Sequence, residues 1–270
     1  MTKSSSTTEP PVARALFIFA HQDDEYAAIP WILEDLADGI AVACVYLTDG
    51  GSRVSAALRD AETRTVLRSL GVGDESIVML QADRGRIADG ELAARSLEAA
   101  DAVERWIERA PFPPHRVYAP SYEGGHPDHD AAHLIAAVVA SNHAVVPEAW
   151  HFSLYNAYRC RRPFFATMRQ LPSEEAARRA TMPLWTRWST AWLCRHYRSQ
   201  WRTWLGLFPG ALYERAIVHR ESVVRFDLAR LHERPHPGEL LYERMFGVGY
   251  DDFRERTRRI SERLSGAMQG

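Results

Sequence analysis

The sequence predicts an α/β fold: a parallel sheet covered by helices on both faces, followed by a helical Arg/Trp-rich C-terminal extension. Three observations carry this. Short, wholly apolar runs such as ALFIFA (15–20) have the pattern of strands buried on both faces. They alternate with segments of helical periodicity, the mark of parallel strand–helix–strand units. The chain has 270 residues, 46% hydrophobic and 10% aromatic, which is ample for a large core and too apolar for disorder.

After the first strand, residues 26–37 place Ile29, Ile32, Leu33 and Leu36 at helical spacing. AVACVYL (41–47) is the second strand and ends at the turn Asp49-Gly50-Gly51. A helix over 56–70 stops at Gly71, the usual C-terminal residue. Residues 77–80 are a third strand and 92–107 a helix. A fourth strand begins at 116–119, an Ala-rich helix runs to 140, and 149–155 reads as a fifth strand. A strand order of 3-2-1-4-5 makes strands one and four neighbours where the order reverses, the place where open α/β sheets bind ligands.

The second half is less regular. From Arg178 to Tyr213 there is no acid, but there are six arginines and five tryptophans. Trp185, Trp188 and Trp192 share one helical face, which predicts an aromatic stripe packed on the sheet domain. The competing expectation is a basic aromatic surface at the active-site mouth that receives a phosphorylated or lipid-linked substrate. Residues 223–226 suggest a further strand and 251–264 a charged terminal helix. The expected division is a disordered tail (1–13), a core (14–155), and an extension (156–270) that packs on the core and shapes the substrate pocket.

A net charge of −2 gives no global attraction to nucleic acid. No apolar run approaches a membrane span, leaving only peripheral contact open. The polar N-terminus does not read as a secretory signal, and three cysteines without CxxC spacing do not make a disulfide framework, so the expected location is cytoplasmic. No GxGxxG follows strand one, so a nucleotide cofactor is not expected. The oligomeric state is not legible.

Two clusters carry chemistry. HQDDE (21–25) follows strand one, where three acids after a buried strand call for a cation or for the positive end of a helix. GGHPDH (124–129) follows strand four, with Pro127 suited to a first helical turn. Each histidine alone reads equally well as a loop or capping residue. Together at one switch point, the clusters converge on a single crevice.

HQDDE resembles the AHPDDE motif, and HPDH (126–129) the HPDH motif, of the PIG-L/LmbE-like N-acetylglucosaminyl deacetylases. Arg59 and Glu62 fit that family's R-x-x-E, and Tyr197-Arg-Ser-Gln200 is a fainter echo. The resemblance implies a Rossmann-like fold and zinc-dependent hydrolysis of the N-acetyl amide of an amino sugar in a glycoside, glycolipid, antibiotic or thiol precursor. It implies His21, Asp24 and His129 as metal ligands and Asp23 as general base. His126 would be the acid or electrostatic partner, with Asp128 holding its imidazole, and Arg59 would contact the sugar. Two histidines and one carboxylate also suit iron(II). Gln22 stands where the family usually has proline, and Gly124 where some members have tyrosine. His133, one turn beyond His129, reads as packing rather than a ligand. The rival readings are an amidase for a larger acyl group and a non-catalytic sugar-binding module. Retention of all six motif positions, Asp23 among them, argues against the latter.

Overall fold

β1 (Arg14–Phe19) can lie in the interior of the sheet because both of its faces are apolar: Leu16 and Ile18 project into one layer of core, Phe17 and Phe19 into the other. A computed structural model of the protein describes residues 14–51, 54–80, 85–110, 113–172 and 177–267; the tail expected over 1–13 lies outside the described residues. β1 pairs in parallel with β2 (Ala41–Tyr46) and β4 (Arg116–Pro120). β3 (Ile77–Met79) adds outside β2, and β5 (Ala149–Phe152) outside β4, both parallel. The order 3-2-1-4-5 is the predicted one. β9 (Ser222–Arg225) and then β8 (Arg178–Arg179) extend the far edge antiparallel, completing a seven-stranded sheet.

One face carries α3 (Ser96–Arg109), α4 (Pro127–Asn142) and the terminal α8 (Tyr250–Ala267), with Val103, Val138, Phe253 and Ile260 in a shared core. α4 is buried from Pro127 to Ala140, and its alanines let α3 and α8 approach closely. The other face carries α1 (Glu25–Ala37) and α2 (Ala56–Leu70), whose Trp31 and Val66 share a core with Phe17, Tyr46 and Phe152 of the sheet.

Two boundaries differ from expectation for the same reason. The fifth strand ends at Phe152, not 155, because the backbone N–H groups of Leu154 and Tyr155 donate to the Glu123 carboxylate at 2.7 and 3.0 Å. Tyr155 then opens a small ribbon, β6 (Tyr155–Asn156) on β7 (Ala166–Thr167). α3 begins at Ser96 rather than Leu92, because Gly90 and Leu92 donate their N–H groups to the Asp128 carboxylate at 2.7 and 3.2 Å. Buried acids thus redirect the backbone at both places.

The extension is helical: α5 (Leu184–Ala191), a 3-10 turn (Trp192–His196), α6 (Trp201–Leu212), a π turn (Tyr213–Val218) and α7 (Leu241–Phe246). It is clamped on α1 by polar bonds. Tyr26 donates its hydroxyl to Ala191 O at 2.9 Å, and buried Arg215 donates to Tyr26 O at 2.7 Å while pairing with Glu221. Among the five tryptophans of this region, Trp204 is buried, in ring contact with Tyr26 and Tyr197. The predicted packing of Trp185, Trp188 and Trp192 on the sheet is not what the structure shows: all three are exposed. The sheet face they were expected to cover is already filled by α1, Trp150 and Phe152.

Candidate active site

The carboxyl ends of β1 and β4 lie side by side, and both acid–histidine clusters leave from them. They line one pocket of about 200 Å3 together with residues of β7 and α6. His126 is the N-cap of α4, and its Nδ1 accepts the Asp128 N–H at 3.1 Å. The bare Nδ1 leaves the proton of the neutral ring on Nε2, the nitrogen on the Asp89 side of the ring, 3.8 Å from that carboxylate. Asp130 is fully buried and accepts from the N–H groups of Glu123 and Gly124 at 3.0 and 3.1 Å, holding the loop that leads into the helix. Gly125 passes so close to Tyr155 that a Cβ would lie 2.1 Å from its carbonyl oxygen.

His21, Asp24 and His129 converge. His21 Nδ1 lies 3.2 Å from His129 Nε2, and His129 Nε2 lies 3.1 Å from an Asp24 oxygen. Ligands about 2.0–2.1 Å from a tetrahedral ion are about 3.3 Å from one another, so these spacings fit a divalent cation between them. The charge balance fits as well. Burial lowers the affinity of His21 for a proton, but Asp89, Asp128 and Asp24 outweigh it and drive the ring toward its charged form. Burial likewise pushes Asp24 upward, yet His129 and His21 hold it at about 2. The floor of the pocket is a place for positive charge.

Asp128 does not hold the His126 ring with its carboxylate, as expected from the sequence; that ring is held by the Asp128 backbone. The carboxylate lies 3.2 Å from His21 Nε2 and accepts two backbone N–H groups. A histidine whose Nε2–H is engaged by a carboxylate presents a bare Nδ1, which is how metal-binding imidazoles are oriented. Asp89 shares the task, 2.9 Å from the same nitrogen. Its sequence context gives no sign of this role, because Asp89-Gly90 reads as an ordinary turn.

Asp23 faces away from Asp24. Its backbone has φ 99°, a left-handed conformation uncommon outside glycine. Its carboxylate receives Arg59 at 3.0 Å, and burial, with Asp24 and Glu25 adding to it, pushes Asp23 up to about 7 despite that arginine. Arg59, expected to touch the sugar, is buried along the pocket wall and donates to Asp23 and to the backbone oxygens of Gly50 and Gln22. Gly50, at φ 79°, is required there: a Cβ would meet Gln22 at 2.1 Å and Arg59 at 2.9 Å. Burial and the neighbouring His21 lower His126 to about 3, so it is neutral near pH 7.

The fainter motif ties the extension to the floor. Tyr197 donates its hydroxyl to Glu25 at 2.9 Å, and Ser199 donates its N–H and hydroxyl to Glu62 at 2.9 and 2.6 Å. Glu25 is thereby engaged below the pocket, accepting also the Asp23 N–H. His133 lies 2.8 Å from Pro120 O and stacks on Phe226, outside the ligand set. Tyr155 lines the pocket, while Tyr122 is buried beside Phe253.

Fold and site together define an α/β protein with a buried His–Asp–His cluster, spaced as metal ligands are, at the switch point of a parallel sheet. Residues 16–140 match the model of the PIG-L family, described as GlcNAc-PI de-N-acetylase. Among solved structures, the fold is similar to a deacetylase of the teicoplanin biosynthesis pathway (19% identity, 80% of this chain and 99% of that one, TM-score 0.57). It is also similar to the N,N'-diacetylchitobiose deacetylase from Pyrococcus horikoshii (19% identity, 80% and 84%, TM-score 0.51). A conserved protein from Thermus thermophilus is a third (20% identity, 83% and 95%, TM-score 0.52). At such identities the likeness is one of fold. No curated protein matches the sequence significantly.

Proposed function

We propose that the protein is a metal-dependent N-deacetylase that releases acetate from an N-acetylated amino sugar, with zinc as the metal. The family match and the deacetylase names of the structural neighbours support this reading. The observation that carries it is the division of labour between adjacent residues: Asp24 belongs to the cation triad, while Asp23, turned aside by its own backbone, presents a separate carboxylate set by Arg59. A binding module has no use for that second carboxylate.

His21, Asp24 and His129 would hold the ion, which supplies Lewis-acid polarisation of the amide and acidification of water. Asp23 accepts the proton of the attacking water and returns it to the departing amine nitrogen, so the amide C–N bond is replaced by an acid and a free amine. His126 donates its Nε2–H toward the oxygen on which negative charge develops. Asp128 and Asp89 orient His21, and Arg59 orients Asp23 rather than recognising the sugar. In this reading residues 14–155 are the catalytic core, and 156–270 supply a pocket wall.

That wall supports a second reading. Leu154, Met168, Trp204, Leu207 and Ala211 are apolar, suited to a longer acyl group or an apolar aglycone. Purified protein loaded with zinc or with iron(II) is assayed against N-acetyl, N-butanoyl and N-octanoyl amino sugars, free and as glycosides. Acetate release that Asp23→Asn abolishes supports the first reading, and faster cleavage of the longer amides the second. No turnover of any member sinks both.

A further inference from the structure

Helix α6 has two faces with different surroundings. Thr203, Trp204, Leu207 and Ala211 recur at one-turn and two-turn spacings and line the pocket. Trp201, Arg202 and Leu205 point the other way, with Trp201 55% and Leu205 68% exposed. α5 and the turn after it add Trp185 at 80%, Trp188 at 36% and Trp192 at 46%. Both helices pack against the 3-10 turn 192–196 and the π turn 213–218. Single exposed apolar side chains are ordinary; this concentration of tryptophan on two neighbouring helices is not.

The charges on the same segment have one sign. Of its six arginines, Arg178 pairs with Glu34 at the sheet edge. Arg195, Arg198 and Arg202 are exposed, Arg202 lies 5.3 Å from the ring centre of Trp201, and among the described residues no ion pair engages any of the three.

We propose that the α5–α6 face docks on an anionic membrane surface. Tryptophan favours the boundary between headgroups and acyl chains, and arginine keeps its stem in the apolar layer while its fork meets lipid phosphates in pairs of hydrogen bonds. The acid-free composition is complementary to a negative leaflet. A second copy of the chain fits less well, because a two-fold contact sets the same patch against itself and would oppose arginine to arginine without an acid. No helix among the described residues is long and apolar enough to cross a membrane, so the contact is peripheral. Since the opposite face of α6 is a pocket wall, docking sets the pocket beside the lipid surface.

The inference stands apart from the deacetylase reading and is tested without turnover. The full chain is sedimented with phosphatidylcholine vesicles containing about one third phosphatidylglycerol, and with pure phosphatidylcholine. Binding is expected on the anionic vesicles, weaker by about tenfold or more on the neutral ones and in high salt. The pairs Trp185→Ser/Trp188→Ser and Arg198→Gln/Arg202→Gln are each expected to weaken it by about tenfold, with the melting temperature and circular dichroism unchanged. Brominated lipid should quench tryptophan fluorescence of the unaltered chain. No binding to anionic vesicles, equal binding to neutral ones, or binding untouched by either pair overturns the proposal. So does a dimer in light scattering that Trp185→Ser/Trp188→Ser dissolves while vesicles bind nothing.

Discussion

The pocket has a polar floor and an apolar wall, and they are built in opposite ways. The acid–histidine residues of the floor leave the ends of β1 and β4, and short polar bonds tie the floor together: His21 to Asp128 and Asp89, Asp23 to Arg59, His126 to the backbone of Asp128. The wall comes largely from α6, far along the chain and set by ring packing of Trp204 on Tyr26 and Tyr197. Hydrogen-bonded geometry tolerates little displacement, whereas an apolar wall asks mainly for shape and volume. The floor is therefore suited to define the reaction, and the wall to select what reaches it.

Substitutions on the two sides should break down differently. His129→Ala is expected to have the largest effect: metal content by elemental analysis falls to background and turnover is lost with it. Chelation of the unaltered protein should do the same, reversed by added zinc. Undiminished metal in His129→Ala would remove His129 from the ligand set.

Asp23→Asn should keep the metal and slow turnover by about 10²–10⁴-fold, since the amide is nearly isosteric but takes no proton. Near-normal turnover in that variant would transfer the role of base elsewhere. Glu25 is a poor candidate, being engaged below the pocket by Tyr197 and by the Asp23 N–H.

Leu207→Ala tests the wall. It should raise KM for the preferred substrate by about tenfold while leaving kcat nearly unchanged, the result of losing binding common to ground and transition states. An equal fall in kcat would mean that the wall also positions the reacting amide.

Tyr197→Phe cuts one polar tie between floor and wall and leaves Glu25 with one partner fewer. Denaturant unfolding should report a loss of about 1–3 kcal/mol. If stability is unaffected, the extension is held by its other contacts, the bonds of Arg215 to Tyr26 and of Ser199 to Glu62 among them.

The floor is largely legible in the amino-acid sequence. A buried apolar strand followed at once by HQDDE, and a second followed by HPDH, place six of the key side chains near strand ends, and strand order brings them together. Asp89 is not legible in this way, being a turn residue by every local sign. Neither is the actual partner of the Asp128 carboxylate, since nothing in HPDH says that it reaches back to His21. The tryptophan stripe fails in the other direction. Spacing shows that Trp185, Trp188 and Trp192 share a face, but amphipathic periodicity does not say whether an apolar face meets protein or something else.

The sequence by itself determined the parallel sheet, its switch point and the acid–histidine residues gathered there, because strand burial and strand-end position are local properties written in adjacent residues. Only the tertiary structure decided which faces are covered and which carboxylate serves which histidine. Both depend on the three-dimensional meeting of segments as remote as Tyr197 and Glu25, or Asp128 and His21, whose distances no local pattern encodes.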